Sequence, residues 1–162
     1  MRKKLCKAFL LSALTLVLLL SVVACAGKAP KMIDTYASAK SALYASAAEL
    51  EAAAQLVVRV EKTEQEENIA MPLNAQGAYH GYTLSEVSVK EVLTDSAGRN
   101  IQPGDRLQIL ENQFTYAEQD GTLATCHINR YVKMQPGKEY YLFLRYSEEN
   151  GYYVILSGLL GK

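Results

Sequence analysis

The sequence predicts a mainly β domain in which one N-terminal helical segment precedes a small antiparallel barrel of five or six strands. Three observations support this fold class. The chain of 162 residues contains eleven tyrosines and no tryptophan, a composition that favours strands and half-exposed surfaces. β-branched residues alternate with polar residues in several stretches. Pro-Gly and Asn-Gly pairs separate these stretches, as tight turns separate short strands.

The first 24 residues have the layout of a secretory signal. Four basic residues lie between positions 2 and 7, and residues 8–24 form an uncharged, leucine-rich run. This run has 17 residues, whereas a membrane-spanning helix usually needs about 20. The alternative interpretation is an uncleaved anchor helix. It is the weaker one, because the run is short for a membrane-spanning helix and is flanked as a secretory signal is.

The four residues Val22–Cys25 resemble the lipobox of bacterial lipoproteins. The resemblance implies that the thiol of Cys25 carries lipid, that residues 1–24 are removed, and that Cys25 becomes the first residue. The expected location is the extracytoplasmic face of a bacterial cell membrane, with the lipid on Cys25 as the contact with that membrane. Cys126 is then the one cysteine of the sequence in the body of the mature protein, so the mature domain has no intrachain disulfide.

Alanine-rich sequence follows the expected processing site. Apolar residues recur at helical spacing from Ile33 to Ala54, which predicts one helix or two. Ser46 and Glu49 form a capping box, so a helix is expected to begin near Ala47. The predicted organisation places the lipidated cysteine, a tether and the start of the helical segment in residues 25–45. The barrel domain with its leading helix then occupies residues 46–162.

Two long stretches follow that have the alternation of β-strands. The first, "LVVRVEKTE", begins at Leu56, and the second, "AYHGYTLSEVSVKEVLTD", ends at Asp95. Val89 and Val92 of the second stretch are out of phase, and a bulge near Lys90–Glu91 would restore the phase. The carboxylate cluster at residues 63–68 is expected to form a solvated loop, because it lacks the ligand spacing and the glycine of a calcium loop.

Turn signals divide the rest of the chain. Pro103–Gly104 and Pro136–Gly137 each predict a type II turn that leads into a strand. Asn150–Gly151 predicts a two-residue hairpin turn. One more short strand is expected within "TLATCHINRYVKM". The strand in "KEYYLFL" is apolar on both faces, which indicates core on one side and helix on the other.

The order of these motifs resembles that of a group of small bacterial surface lipoproteins. The resemblance runs from about Ser46 to Lys162 and is carried by "AAELEAAAQLVVRVE", "YTLSEVSVKEVL", "IQPGDRLQIL", "PGKEYYLFL" and "YYVILSGLLGK". It implies an OB-like barrel, similar in shape to the netrin-like domains of tissue inhibitors of metalloproteinases, and a cell-surface setting. No established activity comes with it, because it is a pattern of strands and not a catalytic signature.

The sequence contains few residues that suit catalysis. Its histidines are His80 and His127, and the adjacent Cys126 and His127 point to opposite faces of a strand, so these two cannot form a catalytic pair. No histidine or cysteine spacing is typical of a transition-metal site, and no cofactor is expected.

After residues 1–25 the chain has 13 basic and 17 acidic side chains, a net charge of −4, which argues against nucleic acid as a partner.

Aromatic residues are the remaining candidates for a recognition site. Tyr79, Tyr82, Tyr116 and Tyr131 lie near predicted loops. They are expected to line a ligand-binding surface, because OB-like barrels bind through one face and its adjoining loops.

Three functional hypotheses follow from these observations. The leading one is a non-enzymatic, lipid-anchored surface protein that binds an extracytoplasmic protein, peptide or glycan. The second is an inhibitor or immunity-type protein that blocks a hydrolase or a toxin at the cell surface. The third is a hydrolase that uses Cys126 or His80.

Overall fold

The computed structural model describes residues 30–40, 42–74 and 77–156. The predicted signal of residues 1–24 and the predicted lipidation site Cys25 lie outside the described residues. The described residues beyond Pro30 belong to one compact unit. Its elements are β1 (Met32–Ala37), α1 (Ala47–Ala53), β2 (Leu56–Pro72), β3 (Tyr79–Asp95), β4 (Arg106–Glu111), β5 (Gln113–Ala117), β6 (Leu123–Ile128), β7 (Glu139–Ser147) and β8 (Tyr152–Ile155). The prediction of a mainly β domain is confirmed, although the described residues form eight strands where five or six were expected.

The strands form two sheets. The larger one, called here the closed sheet, has the order β2-β3-β4-β8-β7, and β7 pairs with β2 so that the pairings close on themselves. The other, called the small sheet, has the order β1-β6-β5. Most neighbours are antiparallel, but β4 pairs with β8 and β1 pairs with β6 in parallel. The expectation of purely antiparallel pairing is therefore wrong at these two places, where strands far apart in the chain meet.

The segment Met32–Ala37 forms β1, although its apolar spacing predicts helix. Each of its six residues pairs with a residue of β6. Ile33 and Thr35 are β-branched and half-buried, which suits a strand with one covered face. The helical prediction is wrong here because pairing with a distant strand outweighs the weak local preference for helix.

Helix α1 begins where the capping box predicts. The backbone N–H of Glu49 donates to the Ser46 hydroxyl at 3.2 Å, and the Glu49 carboxylate accepts from the N–H of Ala45 at 2.7 Å. Leu50 of the helix is buried beside Val57 of β2, and Phe143 of β7 packs against the same cluster. The helix therefore covers the outer side of β2 and β7, which confirms the prediction of helix over one face of "KEYYLFL".

Strands β2 and β3 form a long hairpin with the predicted bulge. Arg59 pairs with Glu91 and Val60 pairs with Val89, so Lys90 is the extra residue. A second shift of register leaves Leu93 extra in the same strand. Val92 lies between these two residues and packs against the interior of the closed sheet, so the bulges restore the phase as expected.

The carboxylate cluster at residues 63–68 lies within β2, so the prediction of a loop there is wrong. Residues 63–65 nevertheless leave the register, because Lys62 pairs with Val87 and the next pairing is that of Glu66 with Ser85. The side chain of Lys62 is fully buried, and its Nζ donates to the carbonyl oxygens of Thr63 at 2.6 Å and Gln65 at 3.1 Å. This lysine therefore satisfies the backbone groups that the irregular segment leaves without strand partners.

The two Pro-Gly turns form as predicted. Gly104 has φ 98° and Gly137 has φ 73°, the positive values that the third position of a type II turn requires. The N–H of Asp105 donates to the Gln102 carbonyl at 3.1 Å, which closes the first turn. The Asn150–Gly151 turn differs from the prediction, because Ser147 pairs with Tyr152 and the loop between them has four residues.

Candidate binding surface

At the end nearer its bulges, strand β3 has the usual distribution of polarity. Val87 and Val89 are buried inside the closed sheet, with 0% and 1% of their surface exposed. Glu86 and Ser88 alternate with them and face outward. Apolar residues from the other four strands of the closed sheet complete this interior: Leu56, Val58, Val60, Leu107, Ile109, Leu142, Leu144, Tyr153 and Ile155. This half of the closed sheet is an ordinary hydrophobic core.

The other half of β3 has the opposite distribution. Thr83 and Ser85 are buried inside the closed sheet, with 1% and 0% exposed. Tyr82 and Leu84 alternate with them, face outward and are half-buried. Polar side chains therefore point inward and apolar side chains point outward along this part of the strand. Burial of polar groups stabilises a fold only when they are hydrogen-bonded, so the interior here needs partners for them.

The Thr83 hydroxyl donates to the Gln113 carbonyl at 2.6 Å, and a buried glutamate supplies the partner for Ser85. Glu111, at the end of β4, is fully buried. One of its carboxyl oxygens accepts from the Ser85 hydroxyl at 2.5 Å. The other accepts from the Tyr131 hydroxyl at 2.8 Å and from the backbone N–H of Met134 at 2.7 Å. Both carboxyl oxygens of Glu111 therefore accept hydrogen bonds from groups inside the domain. The buried carboxyl group serves the fold and is not placed to bind a ligand.

Tyr131 is therefore not a surface residue, and its predicted place in a recognition surface is wrong. Only 2% of its surface is exposed. Burial, followed by the charge and hydrogen bond of Glu111, raises the pKa of its hydroxyl far above the ordinary value. The sequence places Tyr131 near a loop, but its side chain turns inward to reach Glu111.

Tyr79 and Tyr116 lie where the β2–β3 hairpin meets the small sheet. Their rings stack with centroids 4.5 Å apart, and Phe114 lies 5.9 Å from Tyr116. Gly81 allows this approach, because a Cβ at that position would lie 2.2 Å from the Ile69 carbonyl oxygen and 2.8 Å from the Phe114 ring. The two tyrosines therefore join the hairpin to the small sheet.

Tyr82 lies on the opposite face of the hairpin from Tyr79, because it is three positions further along a regularly paired part of β3 and side chains alternate between faces. Its ring lies 5.9 Å from that of Tyr152 in β8. Burial and a hydrogen bond with Tyr82 raise the pKa of Tyr152. The four predicted tyrosines thus do not share one surface, and among them Tyr82 alone lies on the outer face of the closed sheet.

Apolar neighbours surround Tyr82 on that outer face. Leu84 pairs with Leu110 of β4, and Leu110 pairs with Val154 of β8, so these side chains share one side of the sheet. The set, called here the outer apolar patch, consists of Ile69, Met71, Tyr82, Leu84, Leu110, Tyr152 and Val154. Leu73, which begins the loop beside it, is 61% exposed. The patch crosses four strands and lies between the β2–β3 loop and the β7–β8 loop.

Polar residues border the outer apolar patch on one side. A small cavity of about 180 Å³ lies there, lined by Gln65, Glu66, Glu67, Leu84, Glu86 and Gln108. Leu84 belongs both to this cavity and to the patch. A contiguous apolar surface with a polar rim is the arrangement expected of an interaction site.

A second concave region lies on the outer face of the small sheet. A cavity of about 770 Å³ is lined by Asp34, Tyr36, His127, Arg130 and Val132. His127 Nε2 lies 3.2 Å from Asp34 Oδ1, and Nδ1 lies 2.8 Å from the Tyr131 carbonyl oxygen. The Tyr36 ring stacks on the imidazole with centroids 5.4 Å apart. Because both ring nitrogens already face acceptor atoms of the domain, His127 is held as part of the small sheet and is poorly placed to exchange a proton with a ligand.

The two residues considered for hydrolysis are not brought together. Cys126 is buried, with 7% exposed, and pairs with Phe114 on the covered face of the small sheet. His80 is exposed near the tip of the β2–β3 hairpin. Within the described ranges, no hydrogen bond joins Cys126 to His80 or to His127. The geometry therefore gives the hydrolase hypothesis no support.

No protein-family model, curated protein or solved structure matches the chain. Residues 30–40, 42–74 and 77–156 include no helix long and apolar enough to cross a membrane. The same residues hold no group of three or more histidine, cysteine, aspartate or glutamate side chains placed to bind a metal ion.

Sequence reasoning identified one member of this patch and missed the others. Leu110 and Val154 each belong to a short strand, and neither stands out from its neighbours in the sequence. A usable signal was present in β3, where the face that carries Val87 and Val89 continues as Thr83 and Ser85. A strand whose two faces exchange polarity midway indicates that one apolar half faces out.

Proposed function

We propose that this chain is a lipid-anchored surface protein of a bacterial cell membrane whose OB-like domain binds an extracytoplasmic protein, peptide or glycan through the outer apolar patch. The domain acts as a binding module and not as an enzyme. The observation that carries the proposal is the exchange of polarity along β3, where Tyr82 and Leu84 face outward opposite the buried Thr83 and Ser85. Apolar side chains placed outside while polar ones occupy the interior are poorly explained by folding alone.

The strand order supports an OB-like barrel. Five strands form the closed sheet, and its last strand, β8, lies between β4 and β7. The same order is expected of a small Greek-key barrel. In such barrels the ligand lies on one outer face between two loops. The outer apolar patch occupies a face of this kind.

The composition of the patch favours a protein or peptide over a glycan. Ile69, Leu84, Leu110 and Val154 are aliphatic and offer no hydrogen bonds from their side chains. A sugar presents many hydroxyl groups that such a surface would leave without partners, at a cost in free energy. Apolar side chains of a peptide lose nothing of this kind when they are buried there.

The membrane anchor is supported by the sequence alone. The basic first residues, the uncharged run of residues 8–24 and the small residues around Cys25 together fit a lipoprotein signal. A Cys25→Ala chain expressed in bacteria is expected to incorporate no labelled lipid and to keep its signal. Persistent lipid labelling of this variant contradicts the anchor.

The binding proposal is tested with a library of random twelve-residue peptides displayed on phage and selected against the chain purified in detergent. Selected peptides are expected to bind at least about tenfold more weakly to Tyr82→Ser and Leu84→Ser variants, since each buried apolar side chain is worth about 1.5–3 kcal/mol. Tyr141→Ser is the matched control, because Tyr141 is 52% exposed on β7 and lies outside the patch. Equal affinity for the Tyr82, Leu84 and Tyr141 variants contradicts the patch as the binding surface.

A further inference from the structure

We infer that the outer apolar patch accepts a peptide segment in which a basic side chain lies next to apolar ones. This inference rests on the proposed function, because it names the chemistry of the partner at that same surface.

Glu67 is the acidic residue closest in register to the patch. It pairs with Leu84 across the β2–β3 hairpin, so the two side chains lie side by side on the outer face. Glu67 is exposed and also lines the small cavity next to the patch. A ligand that covers Leu84 therefore brings its neighbouring side chain close to the Glu67 carboxylate.

The other two glutamates of this cavity are already compensated. Glu66 bonds to Lys133, and it lies 3.5 Å from the Nζ of the buried Lys62. Glu86 Oε1 accepts from Arg106 at 2.8 Å and from the Thr63 hydroxyl at 3.1 Å. Glu67, in contrast, forms no ion pair with any residue that the structure describes. On the side of the patch next to this cavity, Glu67 therefore presents a negative charge without an ion pair beside an apolar surface.

This charge selects among the possible occupants. A cationic side chain placed at Glu67 gains an ion pair at a partly dry interface, whereas an acidic one meets repulsion. The net charge of −4 after residue 25 acts in the same direction over longer distances. Two copies of this chain that met patch to patch would each bring Glu67 to the interface, so self-association is disfavoured.

The test uses four nine-residue fluorescent peptides and measures their affinity for the full chain in detergent by fluorescence anisotropy. The first alternates leucine and lysine. In the second, glutamine replaces lysine, in the third glutamate replaces lysine, and in the fourth serine replaces leucine. The leucine–lysine peptide is expected to bind about two- to fivefold more tightly than the leucine–glutamine peptide at low salt, as one exposed ion pair allows. The advantage is expected to disappear at about 1 M salt.

Variants of the chain assign the effect to Glu67. Glu67→Gln is expected to remove the advantage of the leucine–lysine peptide and to leave the affinity for the leucine–glutamine peptide unchanged. Glu51→Gln is the matched control, because Glu51 is an exposed glutamate on α1, away from the patch. Loss of the lysine preference in Glu51→Gln to the same extent as in Glu67→Gln overturns the inference, since the preference then reflects overall charge.

The outcomes also separate this inference from the proposed function. If the leucine–lysine and leucine–glutamine peptides bind equally and both lose affinity in Leu84→Ser, the patch is the binding surface and the charge inference is wrong. If no peptide responds to Leu84→Ser, the proposed binding surface itself is wrong. Tighter binding of the leucine–glutamate peptide overturns the inference directly.

Discussion

The two halves of the closed sheet differ in what lies inside them. Near the bulges of β3 the interior contains Val87 and Val89, and the outer positions are polar. Toward the β2–β3 loop the interior contains Thr83, Ser85 and Glu111, and the outer positions are apolar. The first half follows the usual rule that apolar side chains face inward, and the second half reverses it.

Under the proposed function, one half of the closed sheet stabilises the fold and the other half also carries the binding surface. The apolar half gains its free energy from burial of hydrocarbon surface, which is not directional. The polar half depends on a few hydrogen bonds with Glu111 at their centre, which are directional and fail when one partner is lost. Because the inner positions of the polar half are filled by this network, its apolar side chains remain outside and can contact a partner. The variants below test this division, from the largest expected effect to the smallest.

Removal of Glu111 is expected to have the largest effect. A Glu111→Ala change leaves the Ser85 hydroxyl, the Tyr131 hydroxyl and the Met134 N–H buried without an acceptor. The free energy of unfolding should fall by about 3–5 kcal/mol, since each buried unsatisfied group costs about 1–3 kcal/mol. Urea unfolding measures the change, with Glu51→Ala on the surface of α1 as control. An unchanged midpoint shows that the network does not hold this half together.

A polar residue placed in the apolar interior, or an apolar residue placed in the polar interior, should lower the free energy of unfolding in either half of β3. Val87→Ser places a hydroxyl and a cavity in the apolar interior and is expected to cost about 2–4 kcal/mol. Ser85→Val makes the polar interior more hydrophobic, yet it is expected to cost about 1–3 kcal/mol because Glu111 loses a donor. Urea midpoints of both variants measure these costs. Stabilisation by Ser85→Val contradicts the proposed division, because hydrophobic burial alone would then decide stability in both halves.

Substitution of the outer residues should change stability little. Tyr82→Ser and Leu84→Ser remove half-buried side chains, and each is expected to lower the free energy of unfolding by about 1 kcal/mol or less. The same variants are expected to lose affinity for selected peptides. Thermal and urea unfolding provide the measurement. A cost close to that of Val87→Ser indicates instead that these residues belong to the core.

Glu66 is expected to give the smallest effect, and one that depends on pH. Burial by itself raises the pKa of Glu66, but the hydrogen bond and charge of Lys133, with the charge of Lys62, outweigh burial and hold this pKa below 4.5. A pKa lowered by folding contributes stability above about pH 4.5, and the contribution is lost as the pH falls through the folded-state pKa. Because 33% of the side chain is exposed, screening limits the contribution to roughly a few tenths of a kcal/mol.

A comparison of Glu66→Gln with the parent chain across pH 2–7 tests this expectation. The variant should be slightly less stable near neutral pH, and the two unfolding curves should converge as the pH falls below about 4.5. A difference that grows toward acid pH contradicts the sign of the pKa shift. Glu51→Gln provides the control for a glutamate outside this ion-pair network.

Most local features of the fold were predictable because each depends on a few neighbouring residues. Ser46 and Glu49 begin α1 as a capping box does. Gly104 and Gly137 adopt the positive φ that their Pro-Gly turns require. Lys90 forms the bulge indicated by the phase of Val89 and Val92. In each case the chemistry that decides the structure lies within a few residues of the feature.

Features that depend on distant partners were less predictable. The segment Met32–Ala37 has weak helical spacing, but it becomes a strand because it pairs with β6 along its whole length of six residues. Tyr131 has the sequence context of a loop residue, but Glu111 draws its hydroxyl inside. The outer apolar patch combines residues from β2, β3, β4 and β8, and their short apolar stretches carry no common motif.

The sequence by itself determined the bulge in β3, the two Pro-Gly turns and the helix start of this domain, and it carries the pattern that predicts a lipid on Cys25. Only the tertiary structure decided which side of each strand faces inward. The physical reason is that alternation divides a strand into two faces without saying which one is buried. In the first half of β3 the apolar face is buried because it meets the apolar faces of its neighbours. In the second half the polar face is buried, because Glu111 on the adjacent strand accepts from Ser85 and the Gln113 carbonyl accepts from Thr83, which makes this burial possible.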